Sequence, residues 1–546
     1  MENGIRMIAL GGLGHIGLNA MVLDTPEGAY LLDCGVEFPD PNEPGVDQVI
    51  PDVTWLLGLG EHLKAVILTH GHEDHIGGVA HLLKQRRLPV YGPRLAIALL
   101  EEKLDEHGIH GEVQLQIVEK TTTLSLEGIS VEFLRVTHSI PDCFSLAIRT
   151  AEGTVIHTGD WKWDEEPVDG EEVDIDRFTM LGDEGVALLL GDSTNAEVPG
   201  RTRSEKAVGE GLRDAIVGHD GRVIVAMFSS NIHRMHILAD LAEETGRHMV
   251  LLGRGLERMA RVSRRVGLNR TDSSLFITPR NMGLIPPSKL LVCCTGTQGE
   301  PFSALYRASL GIHPLLEVQE GDLVLHSARK IPGNEGRIYD MFAQLTRLGA
   351  HVVHGKAAPI HASGHATQDE LRAMFEWVRP QAFVPVHGET SFLQTHASIA
   401  REAGVPEVKV IENGRWFSLR NGQVQVGDEE TFRRLYYDGA QSGNSTAMGI
   451  KERWKIAHTG VVAIQVTRKT VEGKLQVTVH LQSQGVPDVK GRFEKDCRQF
   501  VEQELQRLPS YTPRADFEDA AKMLVRRFAK QSVGKKPAVL LHCTEG

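Results

Sequence analysis

The stretch His70-Gly71-His72-Glu73-Asp74-His75 decides how this chain is interpreted, because it places four metal-ligand side chains within six residues. It follows an apolar run, Ala65–Leu68, that is typical of a buried strand. Residues two apart on extended chain point the same way, so His70 and His72 can bind one ion while Asp74 and His75 face a second. A His-rich surface loop is the plainer interpretation, but the adjoining buried strand argues against it. Imidazoles with a carboxylate suit zinc, with manganese or iron as alternatives.

Three further candidate ligands lie far along the chain, near the ends of predicted strands. They are His138, Asp160 and His387. Functional side chains gather where the strands of a sheet end, so these residues can complete two ion sites. Two neighbouring ions activate water and clamp a phosphodiester or a carbonyl. Each residue taken alone is equally well a hydrogen-bonded loop residue, so the pattern leaves its role open.

The composition is that of a folded, multidomain protein. The 546 residues are 41% hydrophobic and 24% charged, which excludes a disordered, collagen-like or coiled-coil chain and predicts two to four domains. No apolar run is long enough to span a membrane, and residues 1–6 lack the pattern of a signal sequence. Six cysteines, two of them the adjacent Cys293 and Cys294, cannot form a disulfide framework, so we expect a cytoplasmic protein.

The formal net charge of −13 argues against a nucleic-acid partner, but the charge is unevenly distributed. Residues 1–200 hold 12 Lys and Arg against 35 Asp and Glu, whereas residues 201–280 hold 14 against 9. Five arginines in that second segment recur at helical spacing and could face RNA phosphates. An ordinary solvated helix is an equally good interpretation. The five are Arg254, Arg258, Arg261, Arg264 and Arg265.

The order of predicted elements separates three regions. The first 200 residues contain short strands and loops, among them a hairpin over 20–32. From about residue 205 strands and helices alternate, which predicts a parallel sheet. After a Gly- and Ser-rich stretch at 429–450, strands and two amphipathic helices form a smaller α/β unit. Gly12 to Gly17 fits a dinucleotide-binding pattern, but a hairpin follows it where a helix is required, so a nucleotide cofactor is disfavoured.

These residues resemble the metallo-β-lactamase superfamily, and within it the β-CASP branch, which acts on nucleic acids. The metal motif His-x-His-x-Asp-His is matched in full at 70–75, and the next His and the bridging Asp match His138 and Asp160. Three later stretches are similar to the β-CASP motifs: Asp192-Ser193-Thr194-Asn195, Ser363-Gly364-His365 and Pro385-Val386-His387-Gly388-Glu389. Further stretches are similar to the ribonuclease J family: Gly11-Gly12-Leu13-Gly14, Phe38-Pro39, Thr137–Pro141, Ser230–Arg234, Thr297–Glu300 and Ile331–Glu335.

The resemblance implies a fold and its domain boundaries. It implies a metallo-β-lactamase αββα sandwich made of residues 1–205 and 361–428, split by a parallel α/β β-CASP domain at 206–360. A linker at 429–454 and a C-terminal α/β domain at 455–546 follow. The C-terminal domain is expected to mediate dimer or tetramer formation.

The resemblance also implies an activity: a two-metal ribonuclease, both 5′→3′ exonuclease and endonuclease, that acts in RNA maturation and decay. One ion, most simply Zn²⁺ with Mn²⁺ as the alternative, would be held by His70, His72 and His138. The other would be held by Asp74, His75 and His387, with Asp160 shared by both. Catalytic roles fall to Asp74, to Asp192 as an orienting group, and to His365 as the acid that protonates the leaving oxygen.

Several residues are expected to contact single-stranded RNA that carries a 5′-monophosphate. By resemblance, His365, Ser363 and Gly364 would lie at phosphates, and Phe38 would stack on a base, although a loop anchor explains Phe38 equally well. Ser230 and Asn231 precede a predicted helix, where anion binding and simple capping are both possible. His233 is a further candidate contact, with ordinary packing as the alternative.

Two other classes of function compete with this interpretation. A small-molecule hydrolase of the same superfamily would open β-lactams or thioesters at the same ions, and an RNA-binding scaffold would carry a decayed site. The insertion and His365 favour RNA, and the intact ligand set argues against decay. The chain departs from the family pattern at His15, where Glu is usual, at Cys143, where Ser is frequent, and at Arg329-Lys330, where Ser-Pro is frequent. None of these is a ligand position, so they concern loop contacts and substrate preference.

Overall fold

The computed structural model describes residues 4–40, 42–120, 122–331, 333–355, 358–420 and 422–545. It divides into two compact units. The first comprises residues 4–37 and 50–433, and the second comprises residues 38–49 and 434–545. Pro332, in one of the family-like stretches, lies outside the described residues.

Two sheets pack face to face in the first unit around one apolar core. The strands of the first sheet are, in spatial order, Gln423–Glu429, Arg415–Arg420, Ile5–Gly11, Ala20–Asp24, Ala29–Leu32, Leu63–Ile67, Val90–Pro93 and Leu115–Val118. Those of the second sheet are Glu407–Val408, Ala382–Val386, Val186–Asp192, Gly153–His157, Cys143–Thr150, Ile129–Val136 and Thr123–Leu126. Side chains from both sheets, such as Met7, Leu32, Phe133 and Leu190, meet in the core between them.

Helices cover the outer faces of both sheets, which completes four layers. The first sheet carries Val53–Gly58, Val79–Gln85 and Arg94–Glu106, and the second carries Ile175–Glu184, Gln368–Val378 and Thr390–Glu402. Strands inside such layers are apolar on both faces, as the fully buried Val186–Asp192 illustrates. The predicted αββα sandwich is therefore confirmed, and its second sheet takes strands from both sides of the insertion.

The insertion contains a five-stranded sheet in which every neighbouring pair is parallel. In spatial order its strands are His248–Leu252, Leu290–Cys294, Val223–Ala226, Leu323–His326 and His351–His354. Its helices are Glu205–Ile216, Ile232–Glu244, Arg254–Arg265, Ala304–Ser309 and Glu335–Arg347. The alternation of strands and helices predicted this sheet correctly. Cys293 and Cys294 are both buried in it.

The second unit has its own core. Strands Val461–Val471 and Lys474–Gln484 pair antiparallel, and Ala538–Glu545 pairs parallel with the first of them. Helices Phe493–Gln506 and Arg514–Val533 pack on one face of this sheet, which explains why buried and exposed residues alternate along Val461–Val471. The helix Ile450–Thr459 precedes the sheet.

Most of the segment expected to be a linker, residues 434–454, belongs to the second unit. It contains the strands Leu435–Asp438 and Gln441–Gly443, and the first of these runs beside the strand Gln48–Ile50. Backbone pairing thus orders a stretch whose Gly and Ser content suggested a connection. Phe38 belongs to this second unit and is 74% exposed, so its contact with a base stays a prediction.

The remaining short elements are the strands Leu13–Gly14 and Gly388–Glu389, the helix Glu73–Ile76 and the 3₁₀ turns Gly60–His62, Ser273–Leu275, Pro279–Leu284 and Pro287–Lys289. A strand, Ala20–Asp24, follows the Gly12 to Gly17 stretch, as the hairpin prediction required. Across the described part of the chain, no helix is both long and apolar enough to cross a membrane. All six cysteines are free thiols.

Candidate metal centre

The histidine motif lies where the strand Leu63–Ile67 leaves the first sheet and the short helix Glu73–Ile76 begins. His72 has extended backbone angles (φ −72°, ψ 151°), so the chain presents the ligands before it turns into the helix. The turn packs tightly against Gly35, where an added Cβ would lie 1.7 Å from the carbonyl oxygen of Asp74. Only glycine permits that approach, and it holds Asp74 and His75 against the sheet.

Three imidazoles converge at one point of this site. His72 Nδ1 lies 3.1 Å from His70 Nε2 and 3.1 Å from His138 Nε2. His70 and His138 are buried and His72 is half-buried, and Asp160 Oδ2 lies 3.7 Å from His70 Nε2 and from His138 Nε2. Tetrahedral ligands about 2.0–2.1 Å from zinc are separated by about 3.3 Å, so the spacing of these nitrogens fits a single ion.

A second ligand set lies on the other side of Asp160. Asp160 Oδ1 is 3.2 Å from His75 Nε2 and 2.8 Å from His387 Nδ1. Asp74 Oδ2 completes the set, 3.8 Å from His75 Nε2 and 3.5 Å from His387 Nε2. In each set the candidate ligand atoms all lie within 4.8 Å of one another, and Asp160 belongs to both. The structure thus brings together all seven of the predicted ligands.

Polar atoms outside the site hold the imidazoles by their outward nitrogens. His75 Nδ1 donates to Asp33 Oδ2 at 2.8 Å, and His138 Nδ1 donates to the carbonyl oxygen of Gly364 at 2.5 Å. A proton on Nδ1 leaves Nε2 with the lone pair that a metal ligand needs. His70 Nδ1 lies 3.0 Å from Thr69 Oγ1, and His72 Nε2 lies 3.0 Å from Ser230 Oγ.

Sequence reasoning missed Asp33, the residue that supports His75. Asp33 also accepts hydrogen bonds from Thr69 N at 2.8 Å and Thr69 Oγ1 at 2.7 Å. It adopts a left-handed backbone conformation (φ 57°), which is costly for a non-glycine residue, and so does the candidate ligand His387 (φ 51°). A polar residue directly after the apolar strand Ala29–Leu32 is the only local signal for it.

Asp33→Ala is expected to weaken metal binding by ~10–100-fold, because His75 loses the carboxylate that fixes its ring and tautomer. Competition with a fluorescent zinc chelator measures this affinity. Asp24→Ala is the matched control, since Asp24 is also buried, at the end of an adjacent strand, but pairs with Arg6 and His62. Equal affinities for Asp33→Ala and the unmodified protein would contradict the supporting role.

The electrostatics of the site suit divalent cations. Burial would raise the pKa of Asp160, but His387 and His75 hold it well below its ordinary value, so the carboxylate stays charged. Burial lowers the pKa of His72 to about 4 and keeps His72 neutral, as a ligand must be. Asp160 Oδ1 and His387 Nε2 are buried and, among the described residues, have no hydrogen-bond partner. A bound cation would satisfy both atoms, so the residues present fit a metal.

His365 and Asp192 form a hydrogen-bonded pair beside the second ligand set. His365 Nδ1 donates to Asp192 Oδ2 at 2.8 Å, and Asp192 Oδ1 accepts from Thr194 N at 3.0 Å and Thr194 Oγ1 at 2.7 Å. Burial lowers the pKa of His365, but the Asp192 carboxylate outweighs it and the net pKa is raised. The pair is therefore suited to donating a proton near neutral pH.

The predicted contacts at 363–365 surround this pair. Asn195 Nδ2 donates to Ser363 Oγ at 2.8 Å and to the carbonyl oxygen of His365 at 2.9 Å. Gly364 approaches His138 so closely that an added Cβ would lie 2.6 Å from His138 Cε1. Gly364 thus contacts the candidate ligand His138, and this contact was not predicted. Its proposed place near a phosphate stays a prediction.

The other predicted contacts have different surroundings. Ser230 lies against His72, as described above. The Asn231 side chain caps the helix Ile232–Glu244 by accepting from Arg234 N at 2.9 Å, which matches the capping alternative. His233 is buried, with Nδ1 4.0 Å from Asp169 Oδ2, and lines a cavity together with Lys162 and Glu205. The contact of His233 with RNA stays a prediction.

The departures from the family pattern also have defined environments. His15 Nδ1 lies 3.2 Å from Asn413 Nδ2. The buried Cys143 thiol donates to the carbonyl oxygen of Ile140 at 3.1 Å. Arg329 Nη1 donates to Asn195 Oδ1, one side chain away from Ser363. Arg329 therefore contacts one β-CASP motif, and His15 contacts another through a backbone bridge to Gly388.

The arginine helix Arg254–Arg265 forms as predicted, and three of its five arginines pair with glutamates of the sandwich. Arg258 and Arg261 share Glu102, with Nε–Oε2 and Nη1–Oε1 distances of 3.1 and 2.5 Å. Arg265 pairs with Glu101 at 3.2 Å. Both glutamates belong to the helix Arg94–Glu106 of the sandwich, so these arginines join the inserted domain to it. The helical spacing predicted a face of arginines. It could not show that a neighbouring helix supplies glutamates to three of them.

Four family models match successive parts of the chain. "Beta-lactamase superfamily domain" matches residues 30–177, and "Ribonuclease J, beta-CASP domain" matches residues 220–345. "Zn-dependent metallo-hydrolase RNA specificity domain" matches residues 351–411, and "Ribonuclease J C-terminal domain" matches residues 448–546.

Similar proteins cover nearly the whole chain. A Ribonuclease J of Sinorhizobium meliloti is 37% identical over 551 residues, covering 98% of this chain and 97% of its own length. Ribonuclease J 1 of Streptococcus pyogenes is 38% identical over 467 residues, covering 85% and 83%. A solved protein of unknown function from Enterococcus faecalis has the same fold, with a TM-score of 0.54, 18% identity and coverage of 78% of this chain and 100% of that chain.

A metallo-β-lactamase sandwich with a β-CASP insertion and a cluster of His and Asp ligands defines a hydrolase that binds divalent metal. The identity of 37% over nearly the full length of both chains narrows the class further. The chain belongs to the ribonuclease J family and is a metal-dependent ribonuclease. The small-molecule hydrolase is not favoured.

Proposed function

We propose that this ribonuclease degrades single-stranded RNA from a 5′-monophosphorylated end in the 5′→3′ direction, and also cleaves internally, in RNA maturation and decay. The observation that carries the proposal is the position of Asp160, whose two carboxylate oxygens face two separate ligand sets. The His365–Asp192 pair lies beside them. This arrangement suits phosphodiester hydrolysis with two ions.

His70, His72 and His138 would hold one ion, and Asp74, His75 and His387 the other, with Asp160 shared. Zinc suits this nitrogen-rich set best, with manganese as the alternative. When bound, two ions activate water and offset the negative charge that develops on the phosphate oxygens.

The protein residues supply orientation and the proton. Because His365 Nδ1 donates to Asp192, Nε2 is the atom that can deliver a proton to the leaving 3′ oxygen. Asp192 keeps that imidazole charged and correctly oriented. Asn195 holds Ser363 and the backbone of His365, which fixes the segment proposed to receive the 5′ phosphate.

Digestion of one RNA carrying a 5′-monophosphate, a 5′-triphosphate or a 5′-hydroxyl tests the proposal. We expect mononucleotides to be released from the 5′ end, fastest with the monophosphate, and internal fragments from the other two RNAs. Labels at either end distinguish the two modes. If none of the three RNAs is degraded in the presence of zinc or manganese, the proposed function is wrong.

We further propose that the enzyme acts in the cytoplasm as a homodimer or homotetramer. Six free thiols suit a reducing compartment. The second unit exposes the large apolar side chains Tyr511, Met523 and Leu540, at 86%, 65% and 62%, which suits a subunit contact. Light scattering after gel filtration measures the mass, and a monomer at micromolar concentration would refute the assembly. We also propose that the domain boundaries lie after residues 205, 360, 428 and 454.

A further inference from the structure

The loop after the strand Leu323–His326 carries one of the departures from the family pattern. Arg329-Lys330 stands there in place of the frequent Ser-Pro. The loop lies in the inserted domain, yet its arginine reaches a motif of the sandwich. This exchange of a small polar residue for a permanent cation is unexplained by the proposed chemistry.

Arg329 is connected to the segment that contains His365 through one side chain. Its Nη1 donates to Asn195 Oδ1. Asn195 uses its other end to donate to Ser363 Oγ at 2.8 Å and to the carbonyl oxygen of His365 at 2.9 Å. Asn195 therefore connects the Arg329 guanidinium to Ser363, the proposed phosphate contact, by hydrogen bonds.

The backbone of the loop is fixed so that Arg329 is directed to this place. Gln298, which is buried, donates from Nε2 to the carbonyl oxygen of Arg329 at 2.7 Å and accepts from Ile331 N at 2.9 Å. Lys330 turns away, with Nζ 3.7 Å from the centre of the Tyr339 ring. The two neighbouring cations therefore have different roles, and only Arg329 faces Asn195.

The charge of Arg329 is not neutralised by protein. The residue is exposed, its side chain donates to Asn195, and within the described residues no ion pair joins it to a carboxylate. On the segment that carries Ser363, the carbonyl oxygen of His361 accepts a hydrogen bond from Arg203 Nη1 at 3.3 Å. Burial is the largest cause that lowers the pKa of His361 to about 3, and Arg329 contributes least of the charges that act on it. A guanidinium has five donors in a fork that matches phosphate, and one donor is used here.

We propose that Arg329 binds the 5′-terminal phosphate of the RNA together with Ser363, and so determines the preference for phosphorylated ends. The inference rests on the proposed function and deepens it, since it assigns end recognition to one residue of the inserted domain. Asn195 orients the guanidinium, and the donors that Asn195 leaves free take the phosphate oxygens.

The test compares the unmodified full-length enzyme with Arg329→Ser and Arg329→Lys on RNAs with a 5′-monophosphate or a 5′-hydroxyl. A lost hydrogen bond to a charged group corresponds to about a tenfold or larger change. We expect Arg329→Ser to lower the ratio of kcat/KM for the monophosphate over the hydroxyl RNA about tenfold, mainly through KM. Arg329→Lys should restore part of it. Arg347→Gln, an exposed arginine at the end of the helix Glu335–Arg347, is the matched control.

A merely structural role would give a different result, because loosening of Asn195 would reduce cleavage of both RNAs equally and leave the ratio unchanged. An unchanged ratio in Arg329→Ser, or no preference in the unmodified enzyme, overturns the inference but not the ribonuclease function. Binding of the same two RNAs to Asp160→Asn and to Asp160→Asn with Arg329→Ser, measured by fluorescence anisotropy, tests the inference even if no cleavage occurs. Equal loss of affinity for both RNAs would again overturn it.

Discussion

Asp160→Asn is expected to lower the rate of RNA cleavage by ~10³-fold or more, because it removes the negative charge of the carboxylate that the two ligand sets share. Asp160 Oδ2 lies 3.7 Å from His70 Nε2 and His138 Nε2, and Oδ1 lies 2.8 Å from His387 Nδ1. Asparagine has the same shape but no charge, so the fold should persist while both ions bind more weakly. Initial rates and metal content after gel filtration measure the two effects.

The control for this variant is Asp183→Asn, which removes an exposed carboxylate paired with Arg379. It should keep full metal content and full activity. Thermal unfolding followed by circular dichroism establishes that both variants are folded. An Asp160→Asn enzyme with its full metal complement and a rate near that of the unmodified protein would contradict the shared-ligand role.

His365→Ala is expected to reduce the cleavage rate by ~10²–10⁴-fold, the usual effect of losing a general acid, while the metal content stays intact. His365 Nδ1 is engaged by Asp192 at 2.8 Å and lies 4.0 Å from Asp160 Oδ2, so its removal leaves the seven proposed ligands in place. Asp192→Asn should act in the same direction, because it removes the charge that raises the pKa of His365.

His351→Ala is the matched control, since His351 is an exposed histidine at the start of a strand of the inserted sheet. Rates with a substrate that has a good leaving group in place of the 3′ oxygen provide a second readout, because such a substrate needs no acid and should rescue His365→Ala. Loss of metal from His365→Ala would make it a ligand, and an unchanged rate would remove it from the mechanism.

The ligands that lie close together in the sequence were predictable from it, whereas the residues that hold those ligands in place were not. Four ligand residues within six positions after a buried strand are a short-range pattern, so His70 to His75 could be recognised directly. His138, Asp160 and His387 needed the family resemblance, because their proximity depends on strands far apart in the chain. Asp33 was missed because its role exists only once Ala29–Leu32 lies beside Leu63–Ile67.

The inserted sheet was predictable for a related reason: alternating strands and helices are a local pattern with one common solution. The segment at 429–450 was not, because its Gly and Ser content resembles a connection, and its strands are stabilised by partners elsewhere in the second unit. The arginine helix was predicted with the right periodicity, but Glu101 and Glu102 lie some 150 residues earlier and their proximity cannot be read from spacing.

The ion pairs of the arginine helix have a consequence for the salt dependence of RNA binding. Affinity for a nucleic acid falls with ionic strength according to how many phosphates replace their mobile counterions by protein cations. Arg258, Arg261 and Arg265 already have carboxylates as fixed counterions, so they contribute little to that exchange. The slope of affinity against salt concentration should therefore be smaller than the 14 Lys and Arg of residues 201–280 would suggest. An enzyme whose arginines are paired with its own carboxylates should therefore lose less RNA affinity as the ionic strength rises.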